Sequence, residues 1–187
     1  MPSLVRRFEA QAALTHWDSW HKLPGTFPPA DLRRVPDHWR SFNSRHSLLT
    51  NSPRLATNPV NAVLNFLYGV AESEARLALA TLGMDAGLGF LHADSRKRDS
   101  CAYDLLAAIR PQVDEFVLEW LRREHFRREW FFEERNGNCR LMGSFAVRLS
   151  ETAQYGVEQW RLTRSGFRMS CRQRFQRLPD IMAQPPG

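Results

Sequence analysis

The segment NPVNAVLNFLYGVAESEARLALATLG, residues 58–83, constrains the fold more than any other part of the chain. Asparagine is a preferred N-cap and proline is favoured in the first helical turn, so Asn58-Pro59 predicts the start of a long helix. Gly83 is a suitable residue just beyond its end. Apolar residues at helical spacing predict a core-facing stripe made of Val60, Val63, Leu64, Leu67, Ala71, Ala78 and Leu82.

Glu74 falls in the middle of that predicted stripe. A carboxylate on a buried helix face costs several kcal/mol unless a partner compensates its charge. Two explanations are open at this point. Glu74 either lies at the edge of the helix, where it reaches water or an arginine, or it binds a metal ion.

The rest of the chain predicts a second helix, a hairpin and a last helix. Ser100 is a plausible N-cap for the second helix, and Pro111 should kink that helix or divide it in two. Asn136-Gly137 is a strong turn signal and predicts a short β-hairpin near residues 130–142. The last helix is expected from about residue 144 to 160. The apolar pattern of the second helix consists of Ala102, Leu106, Ile109, Val113, Phe116, Val117 and Trp120.

We therefore predict a mainly α protein in three parts. Residues 1–57 hold a short helix and a proline-rich extended connection, and residues 58–158 form a helical domain. Residues 159–187 form a basic tail, which we expect to be disordered. From Trp160 onward, six arginines against one aspartate give +5 of the total formal charge of +6, so the rest of the chain is nearly neutral. The charge is therefore weak evidence for DNA binding by the helical domain.

Cysteine usage and hydropathy exclude several classes of protein. Cys101, Cys139 and Cys171 form no CxxC pair, so the sequence suggests neither a zinc knuckle nor a disulfide framework. No apolar run approaches the ~20 residues of a membrane span, and the N-terminus lacks the apolar core of a secretory signal. We expect a cytoplasmic protein with reduced thiols and no membrane partner.

Glu74, His92 and Asp104 are the candidate catalytic and metal-binding residues. One imidazole together with carboxylates suits Mn²⁺ or Mg²⁺, whereas structural zinc prefers thiolates and several histidines. Such a site orients a phosphate and stabilises developing charge. The spacing of the three residues alone is a weak signal, and a family resemblance strengthens it.

Three linked stretches carry that resemblance: residues 58–92, which end in GFLH, then DSCAYDLLAAIRPQVD, then NGNCRLMGSF. Over roughly residues 8–155 the chain resembles the C-terminal helical catalytic domain of the CRISPR-associated endonuclease/integrase family, the nuclease of spacer acquisition. The resemblance implies metal-dependent DNA cleavage and strand transfer. It also implies that Glu74 and His92 are metal ligands.

The chain departs from the family pattern at the third ligand. The family segment resembles D-L-x-E/D-x-x-R-P, in which the second acid usually binds the metal. Here Asp104 retains the first acid and Ala107 occupies the second position. Asp104 therefore remains as an alternative or outer ligand. The β-rich N-terminal domain of the family has no counterpart before residue 50, and we expect a truncated gene product.

The resemblance further implies DNA as a partner, together with a homodimer and a small CRISPR-associated subunit. Two non-enzymatic hypotheses remain open. The chain is either a catalytically degenerate homologue acting as a DNA-binding or assembly subunit, or a helical interaction protein. The tail is explained either by a shifted reading frame or by a genuine basic tail that binds nucleic acid or stays disordered. The basic residues expected to contact the DNA backbone are Arg76, Arg96, Lys97, Arg98 and Arg110.

Overall fold

The computed structural model describes residues 2–21, 23–42, 56–87 and 99–151. It confirms a mainly α fold with a short antiparallel hairpin. Met1–Ala146 form one compact unit, and the described residues 147–151 of the second unit are helical, as are residues 143–146 before them. None of the helices in the described ranges is long and apolar enough to cross a membrane. The elements are α1 (Pro2–Trp20), α2 (Pro59–Thr81), α3 (Ser100–Arg123), β1 (Phe131–Glu133) and β2 (Cys139–Leu141), with 3-10 turns at Asp37–Trp39 and Arg128–Trp130.

Helix α2 begins at the predicted cap, Asn58, which also binds a neighbouring segment of the chain. The Asn58 side-chain oxygen accepts a hydrogen bond from the Asn61 N–H at 2.9 Å. The side-chain amides of Asn58 and Asn61 both donate to the carbonyl of Phe42. Both asparagines are fully buried. The helix start is therefore also the point at which the segment 23–42 is attached. Beyond the other end of α2, Gly83 has a φ of 69°, as its predicted role requires.

The buried face of α2 differs from the predicted stripe in its second half. Its first half is buried as expected, but the core then continues through Ala75 and Leu79, whereas Leu82 is 42% exposed. The buried positions follow a four-residue step from Leu67, a row that runs at an angle to the helix axis. Glu74 lies beside this row and is exposed. Of the two explanations left open by the sequence, its exposure agrees with a position at the edge of the helix.

Helix α3 is continuous from Ser100 to Arg123, so of the two effects predicted for Pro111, a kink or a division, the division does not occur. Pro111 is exposed, and the buried residues Leu106 and Val113 hold both sides of it on the core. Tertiary packing of this kind outweighs the loss of one backbone hydrogen bond. The N-cap is Asp99, one residue earlier than predicted.

The proline-rich segment 23–42 is a packed loop and differs from the extended connection that we predicted. Its ends meet through the Gly25 N–H, which donates to the Arg40 carbonyl at 2.8 Å, and through an antiparallel bridge between Pro24 and Ser41. The loop contributes Trp39, which is fully buried. The Arg128 guanidinium lies 4.6 Å from the centre of the Trp39 ring, which suits a cation–π contact.

The predicted hairpin is confirmed around Asn136-Gly137. Phe131 pairs with Leu141 and Glu133 with Cys139 in the antiparallel register. Gly137 has a φ of 79°, a conformation that favours glycine. Phe131 is buried, with its ring 5.1 Å from that of Phe126, so one face of the hairpin joins the core.

We predict that Asn58→Ala lowers the free energy of unfolding by about 1–3 kcal/mol, because it removes a helix cap and a buried hydrogen bond together. Urea unfolding followed by circular dichroism measures the change. Ser73→Ala is the control, since Ser73 is an exposed residue of the same helix that bonds only its own turn, at Gly69. A loss for Asn58→Ala no larger than that of the control would contradict the prediction.

Candidate metal centre

Helices α2 and α3 pack against each other. Each helix carries one of the two candidate carboxylates, Glu74 on α2 and Asp104 on α3. Leu79 of α2 forms a buried cluster with Cys101 and Ala102 of α3. The Cys101 N–H donates to the Ala86 carbonyl at 2.9 Å. This hydrogen bond attaches the segment that follows α2 to the first turn of α3. The geometry of a site built from both helices therefore depends on this packing.

Glu74 is exposed on α2, and Asp104 is half-buried on α3. His92 lies outside the described residues, as do Arg96, Lys97 and Arg98. Within the described ranges, no three His, Cys, Asp or Glu side chains come together in a group that could hold a metal ion. The three-residue ligand set therefore stays a prediction.

The chemistry of the available donors suits a hard cation. Glu74 and Asp104 offer carboxylate oxygens, the ligand type of Mg²⁺ and Mn²⁺. The thiols of Cys101 and Cys139 are buried and reduced, as predicted for them, while Cys171 lies outside the described residues. Burial raises the pKa of the Cys139 thiol far above its ordinary value, so its thiolate is not available as a soft ligand.

Arg76 joins α2 to the start of α3. Its Nη2 lies 2.6 Å from Glu72 Oε1, one turn earlier on α2, and its Nε lies 2.7 Å from Asp99 Oδ2. Asp99 occupies the N-cap position of α3 but makes no side-chain cap hydrogen bond. Its carboxylate is used for the ion pair with Arg76.

A second polar group, comprising His16, Tyr68, Arg110 and Asp114, connects three helices around a buried carboxylate. The Tyr68 hydroxyl of α2 donates to Asp114 of α3, and Nε2 of His16 in α1 lies 3.1 Å from the same carboxylate. The Arg110 guanidinium lies 5.4 Å from the centre of the Tyr68 ring. Burial raises the pKa of Asp114, and the hydrogen bond from Tyr68 opposes that rise.

Two of the five basic residues predicted to contact DNA can be placed, and both have partners within the chain. Arg76 pairs with two carboxylates, and Arg110 lies over an aromatic ring. Asp99 and Asp114 were not among the residues predicted from the sequence. Asp114 could have been found from the sequence, because it follows Val113 directly inside the apolar pattern of α3. A carboxylate inside an apolar pattern is the same signal that singled out Glu74.

Comparison with known proteins assigns the family. The model of the family described as CRISPR associated protein Cas1 matches residues 2–154. The chain belongs to this family. The match covers both carboxylate-bearing helices and the hairpin, which confirms the resemblance inferred from the three sequence motifs.

Similar proteins carry the same family name. A CRISPR-associated endonuclease Cas1 of Archaeoglobus fulgidus is 35% identical over 156 residues, which are 79% of this chain and 41% of that protein. One from Rhodospirillum rubrum is 37% identical over 97 residues, 51% of this chain and 26% of that protein. The matched part thus spans about two fifths or less of the length of these relatives.

Two solved structures share the fold. A casposase bound to its integration product superposes with a TM-score of 0.54 at 26% identity, covering 63% of this chain and 34% of the casposase. A partial Cas6-RT-Cas1–Cas2 complex gives a TM-score of 0.65 at 16% identity, covering 86% of this chain and 44% of the matched one. The second likeness concerns the fold alone.

We predict that Tyr68→Phe lowers the free energy of unfolding by about 1–3 kcal/mol at pH 7, because it removes a hydrogen bond from a buried carboxylate. The folded-state pKa of Asp114 lies above the ordinary value of 3.8, so the folded state binds this proton more tightly than the unfolded state. The contribution of Asp114 to stability is therefore greatest below pH 3.8 and falls as the pH rises through the folded-state pKa.

The decrease in the free energy of unfolding caused by Tyr68→Phe should therefore become smaller as the pH falls. A protonated carboxyl carries no charge and depends less on the hydrogen bond from Tyr68. Urea unfolding of the parent and the variant at several pH values between 7 and 4 measures the difference. Tyr103→Phe, at a half-buried position on α3, is the control for loss of a tyrosine hydroxyl. A Tyr68→Phe loss that stays constant over the pH series would contradict the role of the Asp114 charge.

Proposed function

We propose that the chain is the helical catalytic part of a divalent-metal-dependent DNA endonuclease/integrase of CRISPR spacer acquisition. The observation that carries this proposal is the family match over residues 2–154, combined with Glu74 and Asp104 on two helices that pack together. The reaction is a transesterification, in which a DNA 3′-hydroxyl attacks a phosphate of another strand, forms a new phosphodiester with it, and releases the 3′-oxygen of the cut strand as a free hydroxyl.

In this proposal Glu74, His92 and Asp104 hold Mn²⁺ or Mg²⁺. A bound cation of this kind supplies charge stabilisation at the transferring phosphate. The chain's own groups bind and orient the DNA. Arg96, Lys97 and Arg98 attract backbone phosphates, and such contacts make binding strongly dependent on salt. Arg76 and Arg110 are less available for this purpose, because each has a partner within the chain.

The partners proposed for the chain follow from its relatives. The casposase structure contains an integration product, and the other solved complex contains a Cas2 subunit. We accordingly propose DNA and a small Cas2-type subunit as partners, within a homodimer of the kind that the resemblance implies.

Ala107 supports a second candidate function. It stands where the family pattern has its metal-binding acid, one turn beyond Asp104 on the continuous helix α3. A site with one ligand fewer binds metal weakly or in the wrong geometry. The alternative is a catalytically degenerate homologue that binds DNA or assembles with a partner without cutting.

Nicking and strand transfer on branched DNA with Mn²⁺ distinguish the two functions. If the enzyme function holds, Glu74→Gln and His92→Ala should each reduce the rate by about 100-fold or more, because a metal ligand supports several kcal/mol of charge stabilisation. Matched controls are Glu119→Gln and His125→Ala, which change the same residue types at exposed positions elsewhere.

The Ala107→Glu variant completes the experiment. An active parent that loses its rate with His92→Ala establishes the enzyme with Asp104 or another group as third ligand. An inactive parent that becomes active with Ala107→Glu establishes the degenerate homologue on an intact scaffold. Absence of nicking, of transfer and of DNA binding in all variants would overturn the enzyme function and the DNA-binding form of the alternative, and would leave only assembly with a partner.

A further inference from the structure

We propose that Arg33 and Arg127 contact the DNA backbone on a surface where the loop 23–42 meets the segment that follows α3. The inference rests on the proposed function only in taking DNA as the partner, and it requires no metal ion. Neither arginine is among the five basic residues predicted from the sequence to contact DNA. The surface lies beyond the C-terminal end of α3, about 30 Å along this helix from Asp104.

Asp31 holds together the two segments that carry these arginines. Its carboxylate accepts a hydrogen bond from the Arg128 N–H at 3.1 Å and pairs with the Arg34 guanidinium. The Arg128 N–H is the largest cause that lowers the pKa of Asp31, and the charges of Arg34 and Arg127 lower it further. The turn that carries Arg33 and the segment that carries Arg127 therefore lie side by side.

Four arginines meet at this place, and two of them are used by the protein itself. The Arg128 side chain donates through Nε to the Arg34 carbonyl at 3.1 Å and through Nη1 to the Phe131 carbonyl at 2.8 Å. The same guanidinium lies over the ring of Trp39. Arg34 is engaged by Asp31. These contacts fix the backbone of both segments before any partner binds.

The guanidinium groups of Arg33 and Arg127 remain available. Both residues are exposed, and within the described ranges neither side chain makes an ion pair or a hydrogen bond. The carboxylates close to the four arginines are the buried Asp31 and the exposed Glu129. The surface thus has an excess of positive charge, which attracts an anionic partner.

The chemistry of the two available groups fits phosphate. A guanidinium offers parallel N–H donors that match two oxygens of one phosphate, and its charge strengthens both hydrogen bonds. The family match covers both segments of the surface, and a casposase of the same fold is bound to its integration product. These observations favour DNA over an acidic protein as the partner.

The test measures binding of the full chain to a fluorescent DNA duplex several helical turns long, by anisotropy at a series of salt concentrations. EDTA is present, so that no metal ion contributes. Arg33→Gln and Arg127→Gln should each reduce the salt slope by about one, because each removes one phosphate contact. The basic tail is the same in the parent and in all variants, so differences in slope report on this surface.

Three kinds of control make the result specific. Arg34→Gln removes the same charge from the same surface, but its guanidinium is paired with Asp31, so the slope should change less. Arg7→Gln removes a charge from an exposed position of α1 and should leave the slope unchanged. Arg33→Lys and Arg127→Lys should keep the parent slope, since an ammonium also binds phosphate, whereas a structural role of the planar fork would not be rescued.

The outcomes separate this inference from the proposed function. Slopes for Arg33→Gln and Arg127→Gln equal to that of Arg7→Gln would overturn the contact while leaving DNA as a partner. Equal losses for Arg33→Gln, Arg34→Gln and Arg127→Gln would overturn the assignment to the two available arginines. Unchanged slopes with weaker binding of a Cas2-type subunit would assign the surface to a protein instead. A parent that does not bind the duplex would remove the DNA partner, and the inference with it.

Discussion

The buried carboxylate of Asp114, with its contacts to His16 and Tyr68, constrains the arrangement of three helices. An ionised group removed from water is tolerated only with partners, and here the partners come from α1 and α2 while the carboxylate belongs to α3. Apolar contacts drive the association of the helices. Asp114 restricts how they associate, because His16 and Tyr68 must both reach the same group. Replacement of either partner leaves a buried charge with fewer hydrogen bonds, which lowers the stability of the folded state.

The sequence predicted the elements well where the signal was local. The start of α2 at Asn58-Pro59 and the hairpin at Asn136-Gly137 were predictable, since a cap and a turn depend on a few adjacent residues. The face of α2 was predictable only over its first half. Which side of a helix is buried depends on where its neighbour crosses, and alanines at 71, 75 and 78 fit either path equally. Pro111 does not divide α3 for a related reason, since packing on both sides of it preserves the helix.

The candidate site was likewise predictable only where the signal lay in the sequence itself and not in the packing. The resemblance implied Glu74 and His92 as metal ligands and left Asp104 as an alternative or outer one. Of the carboxylates that interrupt an apolar pattern, Glu74 is exposed and Asp114 is the buried one. The roles of Arg76 and Arg110 were not predictable, because both depend on which residues the fold brings beside them. A basic residue in a nucleic-acid-binding family suggests a phosphate contact, yet both of these arginines are engaged by the protein itself.

The continuity of α3 through position 107 has a consequence for substitutions at that position. Alanine and glutamate are both good helix formers, so the backbone accepts either residue at that position without losing the helix. The buried contacts that hold α3 are made by other residues, among them Leu106 and Val113. A substitution at position 107 therefore changes the polar groups one turn from Asp104 while the contacts that hold α3 in place stay the same.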